Sequence, residues 1–323
     1  MKENQINIVM YHHINNENSR YSKFKGLNVE EFKAQIKYLK KNYNPIRMED
    51  VFNYYMNREN KLPRNAALLT FDDNYKEHYD IVFPILDEEG VQGSFFVPTI
   101  TLQKPMVLDV HKIHLLLINA DLKRLYLDLL GRVNEHRKEY SLPSNNDYTK
   151  RFENGLIKNT SRFDTKGVIF IKRMLQTELP RQLRGIIIDE LFQKYIKDDQ
   201  KIIANELYMN INQLKFMNRK GMYIGPHGHN HYWLSELNRK EQKEEINMSI
   251  KIMNEIGFCF NSWAMSYPNG DYNKSLLSYL TKKGCKVGMI DDTPLISDLV
   301  NNYHLTLPRI DAKDVSKEMN KNV

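Results

Sequence analysis

The stretch that most restricts this chain is Ala66–Phe71, an apolar run that ends abruptly in two adjacent carboxylates, Asp72 and Asp73. Neighbouring like charges repel, so one member of such a pair usually serves a cation. Side chains alternate along a strand, but at its end the backbone can turn both into one cleft. One aspartate could then bind a metal while the other stays free as a base. The plainer account is a helix N-cap, because Asp and Asn cap well and a helix-like segment follows at 75–89.

A second piece lies some 150 residues downstream, in Gly225-Pro226-His227-Gly228-His229-Asn230-His231. Three of the ten histidines of the chain fall within five positions there. His227 and His231 are four apart, so on a helical turn both imidazoles project to one side. Nitrogen ligands plus a carboxylate, with positions left open for water and substrate, describe a catalytic zinc-type site. His229, between the two, is expected to point away.

Around these pieces the pattern alternates. Strand-like runs appear at Ile6–Tyr11, Val91–Thr99, Gly221–Gly225, Ser262–Tyr267, Cys285–Ile290 and His304–Asp311, separated by amphipathic helical stripes at Val29–Leu39 and Arg239–Ile256 and by a helix at Asn273–Lys283. Such alternation argues for parallel strands with helical crossovers. The first strand ends in Tyr11-His12-His13, a polar terminus at the end where barrel enzymes gather their chemistry. A histidine with an ordinary pKa near 6.5 suits proton delivery near neutrality, so His12 is a candidate general acid, with His13 facing the other way. Residues 101–218 break the alternation. That interval of 118 residues is too long for one crossover and carries helical stripes at Leu108–Ile118 and Lys166–Leu175. It is read as a helical insertion covering the barrel mouth, with the barrel formed by 1–100 and 219–323. His111 and His114, three apart, are read as packing or surface residues, and the polar Asn145–Arg151 as a loop.

The order TFDD, then GSFFVPT, then GPHGHNH, then SYPNG resembles the polysaccharide deacetylase family, carbohydrate esterase family 4. The resemblance covers roughly residues 5–100 and 220–311 and implies an α/β fold, an irregular (β/α) barrel of seven strands. By position it makes Asp72 the general base and Asp73, His227 and His231 the ligands of a divalent cation, Zn2+ first, with Co2+, Ni2+ and Mn2+ as alternatives. Members with an N-terminal Tyr-His motif place the acid there, which matches His12; His304 is the fallback. Asn74 stands where the family usually has glycine, and asparagine tolerates the left-handed turn. Where the family has an arginine that tethers the base, this chain has Ser266, and Arg309, near the end of the last strand, could ion-pair with Asp72 instead and keep it ionised. Tyr267, Asn269 and Gly270 would line the cleft, where a backbone N–H could hold an oxyanion. The family's tryptophan after its late aspartate is missing from Asp291-Asp292-Thr293-Pro294. The activity implied is metal-dependent removal of an N-acetyl group from an amino sugar, whether polysaccharide, oligosaccharide or a nucleotide- or lipid-linked precursor. O-deacetylation of a carbohydrate and an inactive sugar-binding barrel are the alternatives.

Composition narrows the partners. The net charge is +7 and the pI about 9.0, but no long basic run concentrates it, so solvated lysine-rich faces are expected and nucleic acid is not. Cys259 and Cys285 sit in apolar contexts outside any C-x-x-C motif, as buried reduced thiols. No signal-peptide core follows Met1, and nothing approaches 18 apolar residues in a row. The expectation is therefore a cytoplasmic protein without a membrane span, acting on a precursor in cell-surface polysaccharide biosynthesis. The sequence leaves the oligomeric state open.

Overall fold

Among the described residues, and apart from four short two-residue strands, seven strand segments follow one another, all but one separated by helices: β1 (Gln5–Tyr11), β2 (Ala66–Asp72), β3 (Gly93–Val97), β4 (Tyr223–Pro226), β5 (Trp263–Ser266), β6 (Cys285–Ile290), and a last segment broken at Arg309 into β7 (Leu307–Pro308) and β8 (Ile310–Asp311). The computed structural model describes residues 4–16, 19–56, 61–155, 157, 164–257, 262–291 and 296–321. Cys259 and residues 292–294 lie outside the described residues.

The pairing is parallel throughout these strands, as the alternation predicts. β1 pairs with β2, β2 with β3, and β3 with β4. β5 pairs with β6, and β6 with β7. One residue further on, β8 pairs with β1. The last segment thus bridges two sheets, touching β6 before Arg309 and β1 after it. The hydrogen-bonded circuit stays open at one seam: among the described residues no ladder joins β4 to β5. The Tyr223 hydroxyl spans the gap, accepting from Ala264 N at 2.8 Å. Gly225 permits the approach, since a Cβ there would lie 2.8 Å from the Phe96 ring and 3.0 Å from Ala264 O.

The period of two sorts the side chains. Ile6, Ile8, Ala66, Leu68, Phe96, Tyr223, Ala264, Val287, Met289 and Leu307 form one apolar cluster, inside the ring of strands. Val9, Tyr11, Ala67, Leu69, Phe71, Phe95, Val97 and Ile224 form another, against the helices Val29–Asn42 and Arg239–Ile256. Extending each strand toward its C-terminal end puts the next inward positions at His12, Asp72, His227, Ser266, Asp291 and Arg309. Alternation alone gathers these six at one end of the ring.

Residues Met106–Ile203 form a separate compact unit, within the 101–218 interval expected as the insertion. It contains the helices Asp109–Asn119, Leu122–Glu135, Asn145–Glu153, Lys166–Arg173 and Arg181–Tyr195, closed over Leu116, Leu125, Leu129, Ile171, Leu183 and Leu191. His111 is fully buried there, its ring 6.1 Å from that of His114. The expected loop at Asn145–Arg151 is instead helical. Ser144 caps it by accepting from Asp147 N, and the Asp147 side chain answers the Ser144 N–H. This reciprocal pair stabilises a first turn despite the polar composition, and Tyr148 anchors the helix in the core. No helix among the described residues is long and apolar enough to cross a membrane.

Candidate active site

The two aspartates after β2 reach the same place by different means. Asp72 points inward by strand alternation. Asp73 would point outward, but its φ of 78° and the 61° of Asn74 reverse the chain. Positive φ is costly for non-glycine residues, least so for Asn and Asp. Asn74 holds the turn with its side chain, donating to Thr101 Oγ1 at 2.9 Å and to Met209 O at 3.1 Å.

The second piece is a loop, which corrects the expectation of a helical turn. Helical spacing cannot explain the convergence of His227 and His231, because Gly228 at φ 72° and His231 at φ 59° interrupt any helix. The loop is pinned from two sides instead. Thr99 N donates to Gly228 O and Ile100 N to His229 O. On the other side, the buried Glu245 carboxylate accepts from His229 N and Asn230 N, both at 2.9 Å, and from the Asn230 side chain. His229 turns away from its neighbours to Thr99 Oγ1, at 2.9 Å. The His227 and His231 rings are left 4.9 Å apart.

Asp73, His227 and His231 bring one ligand atom each within 4.8 Å of one another. Asp73 Oδ1 lies 3.5 Å from His227 Nε2 and 3.2 Å from His231 Nε2. Ligand atoms bound at about 2.1 Å to a tetrahedral ion lie about 3.4 Å from each other, so the spacing suits a divalent cation. The donor set suits it too. His227 Nδ1 faces Ser266 O at 2.8 Å, which fixes the proton on that nitrogen and turns the Nε2 lone pair toward Asp73. Burial lowers the His227 pKa against the pull of Asp72, keeping the ring in the neutral form a ligand needs.

Asp72 stands beside this group with Oδ2 4.0 Å from His227 Nε2. Its side chain is fully buried, and its second oxygen, Oδ1, has no hydrogen-bond partner among the described residues. Oδ2 is held twice. Arg309 Nη2 donates at 2.6 Å and Ser266 Oγ at 3.0 Å. Burial alone would raise the Asp72 pKa, but the Arg309 charge, then His227, the Arg309 hydrogen bond and His12 outweigh it and hold it down at about 2. Arg309 is itself wholly buried, and the same Nη2 donates to Asp291 Oδ1 at 2.5 Å. Nη1 and Nε reach Thr70 Oγ1 and Ile290 O.

His12 sits on the inward side at the end of β1. Burial depresses its pKa, yet the charges of Asp73, Asp72 and Asp291 prevail over burial and Arg309 and leave it raised. His13 faces outward, with Nδ1 2.5 Å from Glu77 Oε1. His304 belongs elsewhere: its Nδ1 meets Lys286 O at 2.7 Å, at the start of β6, whereas Arg309 meets Ile290 O at its end. The fallback acid is therefore at the opposite end of the ring.

The turn after β5 differs in detail from its expectation. Tyr267 is fully buried, not lining a cleft; its N–H donates to Met289 O and its hydroxyl to Leu305 O. The Gly270 N–H is taken by Tyr267 O. The Gly270 amide is engaged within the turn itself, and the Tyr267 amide by the neighbouring strand β6. Asn269, half-buried at φ 56°, is the member of the three whose N–H meets no acceptor among the described residues.

Five contributors carry little or no signal in the sequence. Ser266 was noted only for not being arginine, Asp291 only for lacking a following tryptophan. Glu245 carries a detectable signal, since Gln242, Glu245, Ser249 and Ile252 continue one buried helix face on which a carboxylate is out of place. Glu77 and His78, next to the site in sequence, gave none.

The polysaccharide deacetylase family model matches residues 192–288. YxkH of Bacillus subtilis (strain 168), classed with the polysaccharide deacetylases, is 30% identical over 98 residues, which is 30% of this chain and 33% of that protein. The match thus spans about a third of that curated relative's length. Among solved structures, the Streptococcus pyogenes deacetylase PplD in complex with acetate aligns with a TM-score of 0.58 and 18% identity over 98% of this chain and 99% of its own. A de-N-acetylase from Aggregatibacter actinomycetemcomitans aligns with a TM-score of 0.56 and 15% identity over 97% and 99%. These similarities establish the fold over nearly the whole chain. The chain is thus similar to the polysaccharide deacetylases in sequence over residues 192–288, the segment that carries His227 and His231, and in fold over nearly its whole length.

Proposed function

We propose that the protein is a metal-dependent carbohydrate deacetylase that removes an N-acetyl group from an amino sugar. The observation that carries the reading is the convergence of one carboxylate and two imidazoles, Asp73, His227 and His231, beside a second carboxylate that an arginine keeps ionised. The structural relatives, a deacetylase with acetate and a de-N-acetylase among them, point the same way.

A divalent cation held by Asp73, His227 and His231, with Zn2+ the first candidate and Co2+, Ni2+ or Mn2+ as alternatives, would polarise the acetamide carbonyl and lower the pKa of water. The rest falls to the chain. Asp72, ionised and with Oδ1 uncommitted, takes a proton from the attacking water. Arg309 and Ser266 hold Oδ2, so the free oxygen is the one presented. The N–H of Asn269 is the donor left for the developing oxyanion. An amine leaves poorly without a proton, and His12, whose protonated form the three aspartates favour, supplies it. The substrate class, an N-acetylated oligosaccharide, polysaccharide or carrier-linked precursor, follows from the family.

The test is free acetate released from a panel of N-acetylated oligosaccharides and nucleotide-linked N-acetyl sugars by the metal-loaded protein. Asp72→Asn should abolish release while the metal stays bound. Turnover retained in that variant would remove the base assignment.

A further inference from the structure

Two consecutive residues just beyond the aspartate pair, Glu77 and His78, grip the main chain that follows β1. His78 Nε2 lies 2.7 Å from His12 O. Ile14 N donates to Glu77 Oε1 at 2.5 Å, and the same oxygen faces His13 Nδ1. The carbonyl on one side of His13 and the amide on the other are thus both tied to the segment that carries Asp72 and Asp73. β1 and β2 are already laddered, but their last paired residues are Tyr11 and Phe71. Beyond that ladder, Glu77 and His78 take over the registration of His12 against the aspartates.

The chemistry of His78 argues that this bond is what the residue is for. Its side chain is fully buried, and burial drives its pKa down to about 4. A neutral imidazole facing a carbonyl must carry its proton on Nε2. Its other nitrogen, Nδ1, is buried with no partner among the described residues, a destabilising arrangement. The ring sits among Phe71, Tyr75 and Phe95, at centroid distances of 5.6, 5.7 and 5.7 Å. Packing alone would favour phenylalanine at such a position. The residue also opens a π-helical turn, His78–Val82, a local widening that often accompanies functional sites.

We propose that His78 is a positioning residue, which fixes the imidazole of His12 relative to Asp72 by donating to the His12 carbonyl, with Glu77 securing the next peptide. The inference rests on the reading of His12 as the proton donor to the departing amine. A misplaced donor slows only substrates that need a proton on the leaving group. An activated aryl acetate leaves as a stable phenolate and needs none, so the two substrate classes separate this role from general damage.

The experiment compares acetate release from an N-acetylated oligosaccharide turned over by the wild type with hydrolysis of an activated aryl acetate. His78→Phe should lower amide kcat by about 10–100-fold, leave the ester rate close to wild type, and leave bound metal per chain unchanged. His78→Gln, which keeps an N–H donor, should recover part of the amide rate. His78→Met removes the donor with an adaptable side chain and gives the same comparison if the phenylalanine variant fails to fold. In a His12→Ala background, His78→Phe should cost nothing more. If His12→Ala slows the amide selectively while His78→Phe and His78→Met slow both substrates together, or neither, the positioning role is wrong. If His12→Ala itself slows neither or both equally, the proton-donor reading has failed and takes the inference with it.

Discussion

Arg309 Nη2 lies 2.6 Å from Asp72 Oδ2, both side chains essentially without solvent exposure, across 237 positions of sequence. The pair fills a gap left nearer by, where Ser266 occupies the position at which the family carries its arginine. A guanidinium arriving from the last strand and a hydroxyl arriving from β5 together hold one oxygen of the carboxylate and leave the other to react.

Removing one partner of that pair leaves a buried charge. Arg309→Met should destabilise the fold by about 3–5 kcal/mol, measured by denaturant unfolding of the metal-free protein. A loss near zero would mean that Asp72 and Asp291 are adequately solvated without it.

The same pair has a pH signature. The Asp72 pKa is depressed to about 2 in the folded chain, against about 3.9 when unfolded. Its contribution to stability is therefore complete above the unfolded value and is lost as pH falls through the folded one. The stability difference between the metal-free wild type and Asp72→Asn should shrink between about pH 4 and about pH 2. A difference that stays level across that window would show that the carboxylate is not stabilised in its charged form.

Ser266→Ala deletes one of the two donors to Asp72 Oδ2. The expected cost is about 1 kcal/mol in transition-state stabilisation, a several-fold fall in kcat with KM and metal content little changed. A fall as large as that of Asp72→Asn would mark Ser266 as reacting directly.

Glu245 acts on the loop and not on the chemistry. It accepts two backbone amides and a side-chain amide between His227 and His231. Glu245→Leu should weaken metal affinity by about 10–100-fold, read by direct titration, while Glu245→Gln, which keeps one acceptor, should weaken it less. Equal affinity in all three proteins would mean that the loop holds its shape without the clamp.

How much of this was legible in the sequence depends on whether position or backbone conformation decides it. Asp72 ends an apolar run and His12 follows one, so strand periodicity carries both inward. Arg309 could be proposed as the tether because it stands near the end of the last strand. Asp73 and His231 arrive only through positive φ, which no periodicity reports; a helical turn is not what brings His227 and His231 together. Tyr267 was assigned to the cleft from its neighbours in sequence, but its amide and hydroxyl are spent on Met289 and Leu305. A partner that acts through a hydrogen bond to main chain, such as His78, leaves no pattern of residue types, and Glu245 leaves only a carboxylate out of place on a buried helix face. The Ser144 capping box did leave one, and the polar composition after it concealed the helix.

The central claim is that Asp73, His227 and His231 share one ion. Metal content and X-ray absorption at the metal edge, measured on the metal-loaded protein and on Asp73→Ala, His227→Ala and His231→Ala, test it most directly. The account predicts one ion per chain with two imidazole nitrogens and a carboxylate oxygen, and loss of stoichiometric binding in each variant. An ion retained with unchanged ligation after any one of the three substitutions would contradict it.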